Sequence, residues 1–224
     1  MSKGHNAEAV GHQHSIMGEL ICHLPYAIFS VAFSITVLSF VSYFSFGDSV
    51  ETLCHKSDQL FHSFHFMHIV FAATGTLVAF FRFSKNITKA LILGVVSPMI
   101  FCTLSDSILP YIGGKLLGVD MHFHLCFVTE LYNVIPFLIA GIVNGFAISR
   151  HYGDRQMLYA VSSHAIHILV SSLASMFYLV AHGCTDWYRI IGMVFIFLIV
   201  AVVIPCTLSD VVVPMLFARV GSKK

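Results

Sequence analysis

CTLSDSILP at Cys102–Pro110 returns as CTLSDVVVP at Cys206–Pro214. Five identical consecutive residues, with a proline at the same distance beyond them, mark a duplication, and internal self-similarity of this kind constrains an architecture more than any single motif does. Each copy lies inside a long apolar stretch, residues 88–115 for the first and 188–218 for the second. Four further stretches, 19–46, 60–83, 124–148 and 157–181, alternate with short polar connectors. A hydrocarbon core of about 30 Å takes roughly 20 helical residues to cross. Lipid offers the backbone no water, and these spans are too long for barrel strands, so each is expected to be a helix. The sequence therefore predicts an all-α integral membrane protein with six transmembrane helices. Composition agrees: 57% of the chain is hydrophobic and 10% charged, where a soluble domain has about a quarter of its residues charged.

The duplication reaches beyond the quoted stretch. The second span carries SFHFMHIV with His65 and His68, and the fifth carries SSHAIHIL with His164 and His167, both reading HxxH. HQHSIMGEL with Pro25 after it precedes the first span, and HFHLCFVTEL with Pro136 after it leads into the fourth. The domain reading is a polar histidine-bearing tail (1–18), a three-helix unit (19–118) and a second three-helix unit (119–221), in a single membrane domain. Three is an odd number, so the second unit must enter the bilayer from the opposite side. The result is a tandem 3+3 inverted-topology repeat, a plan used by many secondary transporters. Pro98 and Pro110 in the third span, and Pro205 and Pro214 in the sixth, predict kinked, tilted or broken helices.

Charge sets the expected orientation. With the N-terminus cytoplasmic, that side carries Lys3, Arg82, Lys85, Lys89, Arg150, Arg155, Arg219, Lys223 and Lys224, against Lys56, Lys115 and Arg189 outside. The excess predicts both termini inside, in a bacterial inner membrane or plasma membrane. MSKGHNAEAVGHQHS lacks the features of a secretory signal, so the first span is expected to be retained. A formal charge of +1 without basic or acidic blocks excludes a nucleic-acid footprint. The partners expected are the lipid bilayer and a metal ion, and homo-oligomers are compatible with such a chain. None of the six cysteines forms a CxxC pair, which removes zinc-ribbon and thioredoxin readings. Cys54 in ETLCHK and Cys184 in HGCTDW are placed in outer, oxidising connectors, where they are candidates for a disulfide if their Cα atoms come within about 4.4–6.8 Å.

The chemistry concentrates on a few residue types. A carboxylate in hydrocarbon costs about 2.5–3.5 kcal/mol even on a lenient scale, so Asp106 and Asp210 are expected to face the bundle interior. At α-helical spacing Cys102 shares a face with Asp106 and Cys206 with Asp210, with Ser105 and Ser209 beside them. The competing reading is a packing motif in which Asp and Ser bond across helices and Cys is a small apolar residue. Fourteen histidines are present, and imidazole with carboxylate and thiol is a ligand set for Zn, Fe, Mn, Co or Ni.

Sorting by depth predicts an outer cluster of His62, His65 and His68 with His122, His124 and Glu130. It predicts an inner cluster of His164 and His167 with His12, His14 and Glu19, and a Cys/Asp site between the two. Such a ladder would let an ion exchange ligands stepwise. The function expected is a transporter or channel for a divalent transition-metal ion. The rivals are a membrane-embedded metalloenzyme and, less favoured, a haem or quinone redox subunit with histidine axial ligands.

Overall fold

A computed structural model describes the backbone of residues 16–151 and 156–219 and the side chains of residues 21–150 and 163–218. Every regular element among the described residues is helical: α1 (Ile16–Phe44), α2 (Val50–Phe81), α3 (Ile87–Thr103), α4 (Leu109–Leu116), α5 (Cys126–Thr129), α6 (Leu131–His151), α7 (Gln156–Ala181), α8 (Ile191–Thr207) and α9 (Val213–Arg219). A π-helical turn (Leu104–Ile108) joins α3 to α4, another (Leu208–Val212) joins α8 to α9, and a 3₁₀ turn (Trp187–Ile190) opens α8. Six of the resulting helices are long and apolar enough to cross a membrane. Large apolar side chains such as Phe29, Phe40, Ile92, Ile139 and Ile196 lie exposed on their outer faces, as expected where lipid is the solvent.

Two boundaries depart from the hydropathy reading. α2 starts at Val50 rather than near residue 60, because Ser49 caps it by accepting the Thr52 N–H at 3.2 Å and Glu51 occupies its first turn. Ten residues add about 15 Å of helix. They look polar only because this end of α2 is amphipathic. The fourth span is divided: α5 ends at Thr129, the capping Glu130 leaves the helical region with φ of −119° and ψ of 27°, and α6 starts at Leu131.

The core is built on α2 and α7. In their most apolar stretches 61% of α2 residues and 78% of α7 residues are buried, against 28% in α1 and 28% in α6. These two make the most extensive helix pair, and the others wrap them in a crossed pattern. α1 packs chiefly on α7 and α8, whereas α6 packs chiefly on α2. Close approach of α6 rests on Gly141 and Gly145: a Cβ at Gly141 would lie 2.7 Å from the Val70 carbonyl oxygen, and one at Gly145 would lie 2.8 Å from the Leu77 Cβ. This spacing of small residues lets two membrane helices touch backbone to backbone. Thr74 adds a hydroxyl bond to the Gly141 carbonyl at 3.0 Å.

The duplicated CTLSD stretches do not break. Each continues as a helix by taking a π turn, closed by Leu109 N–H to Leu104 C=O in one copy and by Val213 N–H to Leu208 C=O in the other. Proline explains both the turn and its surroundings. Pro110 and Pro214 have no N–H to give, so in the i to i+5 register the Ser105 and Ser209 carbonyls lose their donors. Hydroxyls from the two core helices replace them: Ser175 donates to the Ser105 carbonyl at 3.0 Å, and Thr76 donates to the Ser209 carbonyl at 3.2 Å.

Candidate metal centre

Asp106 and Asp210 project from the π turns into the bundle, and each meets the HxxH pair that precedes it in the chain. On Asp106, Oδ2 accepts from His65 Nδ1 at 2.9 Å and from His68 Nδ1 at 2.6 Å. On Asp210, Oδ2 accepts from His164 Nδ1 at 3.1 Å and from His167 Nδ1. All six residues are buried. The i, i+3 spacing puts both imidazoles of a pair on one helix face, and the π turn aims the carboxylate between them. A carboxylate only accepts, so each Nδ1 carries a proton, and in the neutral tautomer that this geometry selects Nε2 keeps its lone pair. The Nε2 atoms of His65, His164 and His167 are buried and make no hydrogen bond among the described residues. Metal-ligating histidines have this arrangement, with one ring nitrogen held by a carboxylate and the other free to coordinate.

The two triads meet. The His68 and His167 rings lie 4.5 Å apart between centroids, and Cys206 Sγ is 3.8 Å from His68 Nε2. His68, His167 and Cys206 form a buried ligand group whose donor atoms lie within 4.8 Å of one another. His65/His68/Asp106 and His164/His167/Asp210 satisfy the same test.

Three expectations change here. First, His65, His68, His164 and His167 do not belong to separate outer and inner clusters; they converge on the carboxylates in one centre. With α2 running from Val50 to Phe81, His65 and His68 fall near its midpoint. Second, the cysteines are not equivalent: Cys206 joins the centre, whereas Cys102 joins none of these groups and packs in the hydrophobic core. Third, the serines hold the site in place. Ser105 Oγ donates to Asp106 Oδ1 at 2.7 Å, and Ser209 Oγ pairs with Ser97 Oγ at 3.2 Å. Ser171, which the sequence reading passed over, donates to Asp106 Oδ1 at 2.8 Å. On the far side, Gly75 makes room for Asp210, since a Cβ there would stand 2.7 Å from Oδ2.

A separate group occupies one end of the bundle, where His62, His124 and Cys126 bring ligand atoms within 4.8 Å of one another. Of the outer cluster expected from sequence, His62 and His124 are present. His122 is exposed and gives its backbone N–H to the His182 carbonyl at 2.9 Å, while Glu130 binds the Asn133 amide at 2.5 Å. Cys126 and His182 carried no signal beyond residue type. His182 comes in by stacking, 5.5 Å from the His124 ring and 4.1 Å from Tyr178. Tyr178 also clamps the loop, accepting the His124 N–H at 3.1 Å. Burial holds His124 and His182 below the ordinary imidazole range, and burial, reinforced by the Asp106 carboxylate, pushes the Cys126 thiol up.

The Cys54–Cys184 disulfide is not formed. Both thiols are free, and Cys54, inside α2 rather than in a connector, donates to the Val180 carbonyl at 3.5 Å. His12 and His14, and the side chain of Glu19, lie outside the described residues.

The histidines still form a succession through the protein. The His124 and His62 rings are 5.4 Å apart, His65 stands one helical turn from His62, Asp106 links His65 to His68, and His68 meets His167. Asp210 links His167 to His164, whose ring contacts His23 at 4.2 Å. No protein-family model matches the chain, and neither a curated protein nor a solved structure matches it.

Proposed function

We propose that this protein is a membrane transporter or channel for a divalent transition-metal ion, with the succession of histidines as its path. The observation that carries the reading is the centre itself. Four imidazoles are oriented by two buried carboxylates so that their Nε2 lone pairs stay available, with a thiol beside two of them. Nitrogen and sulfur donors favour Zn, Fe, Co or Ni over alkali and alkaline-earth ions. Donors that recur toward both sides of the centre allow stepwise ligand exchange.

The reading includes an inverted 3+3 repeat, both termini cytoplasmic, and a bacterial inner membrane or plasma membrane. The repeat is supported by the paired CTLSD π turns, the paired HxxH–Asp triads and the paired hydroxyls of Thr76 and Ser175. Its test is metal flux into liposomes: Asp106→Asn and Asp210→Asn are expected to abolish it while the protein keeps its elution profile. Wild-type flux in both variants would sink the proposal.

One observation favours a second reading, a membrane-embedded metalloenzyme. His65, His68, His164 and His167 gather with both aspartates in one centre. In that case the purified protein would hold metal tightly and stoichiometrically and would conduct none.

A further inference from the structure

We infer that His62, His124 and Cys126 form a second transition-metal site, separate from the buried centre and built to take an ion of the Zn²⁺ or Co²⁺ class. His62 is oriented as a ligand: its Nδ1–H donates to the Asp58 carbonyl at 2.9 Å, with the Asp58 carboxylate at 3.5 Å. Its Nε2 is buried and makes no hydrogen bond among the described residues. That is the outer-shell arrangement which fixes the tautomer of a coordinating imidazole. His124 is held from its backbone by Tyr178 and from its ring face by His182. Cys126 supplies a buried thiol from the single-turn helix α5, which ends at the break before α6.

Two nitrogens and one sulfur make an N/S set of the kind zinc and cobalt take, with one tetrahedral position left for water or an incoming ligand. Tyr178 and His182 are positioning residues here, because they act through His124.

The site has no thiol counterpart in the first half of the chain. HFHLC carries Cys126 directly after its HxH-Leu, whereas HQHSI has Ser15 and Ile16 at the corresponding place. One end of the molecule therefore offers a sulfur ligand that the matching segment lacks. Its role as the loading end of the path rests on the transport reading; its ability to bind metal does not.

The test is Co²⁺ titration of the full chain purified in mild detergent, read by visible d–d bands and by the thiolate-to-cobalt charge-transfer band, with stoichiometry from elemental analysis. The Cys206→Ser protein is expected to keep a charge-transfer band from this site. Adding Cys126→Ser to it is expected to abolish that band and to remove about one equivalent of bound metal. His62→Gln in the Cys206→Ser background gives a second route to the same loss, should the serine variant fail to fold. A charge-transfer band absent from Cys206→Ser, or unchanged when Cys126 or His62 is replaced, overturns the inference. Loss of flux in Asp106→Asn with the Cys126 band intact supports both readings. Undiminished flux in Asp106→Asn and Asp210→Asn with that band present sinks the transport path and leaves this site standing.

Discussion

Asp106 and Asp210 occupy matching places in a duplicated motif and hold their histidines alike, yet their second oxygens live differently. Asp106 Oδ1 accepts from Ser105 and Ser171, so its carboxylate takes four donors in all. Asp210 Oδ1 is buried and makes no hydrogen bond among the described residues. The cause lies in the partners. Ser209 turns toward Ser97 instead of its neighbouring aspartate, and the place of Ser171 in α7, four residues beyond the second HxxH histidine, is taken in α2 by Ala72. The backbone plan is repeated, but only one acid is saturated. Asp106 is locked by its neighbours, and one oxygen of Asp210 is left without a partner among the described residues.

The largest test of that contrast is the pair of isosteric amides. Asp106→Asn turns one of two fully used acceptor oxygens into a donor, so two of its four partners lose their acceptor, and it is expected to cost about 3–5 kcal/mol. Asp210→Asn disturbs two histidines and is expected to cost about 1.5–3 kcal/mol. Thermal unfolding in detergent measures both, and equal losses would erase the distinction.

Next comes Gly75→Ala, whose methyl would displace the Asp210 carboxylate. A penalty of about 1–3 kcal/mol is expected together with a fall in metal flux. Ala174→Gly, at the corresponding place in α7, should cost about 0.5–1 kcal/mol and leave flux intact. Flux lost in both variants would point to general helix packing instead.

Ser171→Ala removes one of the Asp106 donors and makes that site resemble its twin. About 1–2 kcal/mol is expected, and a stability indistinguishable from wild type would show that the lock on Asp106 does not depend on this hydroxyl. The smallest effects belong to Thr76→Ala and Ser175→Ala, each removing one hydroxyl donor from a carbonyl at a π turn for about 0.6 kcal/mol. A clear inequality between them would show that the two turns are not held in the same way.

Much of this was legible in the sequence, and the exceptions have physical reasons. The spans could be read because a 20-residue apolar run has few other fates, and the aspartates and HxxH pairs because buried polar groups are costly enough to be conspicuous. Depth was misjudged because the polar start of α2 hid ten residues of helix, which displaced His65 and His68 from the rim to the middle. The split between Cys102 and Cys206 was hidden because helical spacing describes a single helix, whereas their neighbours are decided by how α2, α7 and the π turns cross. Cys126 and His182 each come to His124 through loop packing beside Tyr178, and no local period encodes that arrangement.

The crossed wrapping of α1 on α7 and of α6 on α2 bears on how such a molecule can move. Two lobes that each own their helices can tilt against one another as rigid levers. Here α1 is gripped by α7 and α8 and α6 by α2, like clasped hands, and a lever motion would have to tear that grip. Under the transport reading, opening a route to the buried centre would fall to changes inside a helix. At both π turns one residue can slip between the wide and the ordinary winding, and such a slip would rotate the carboxylate by about 100°.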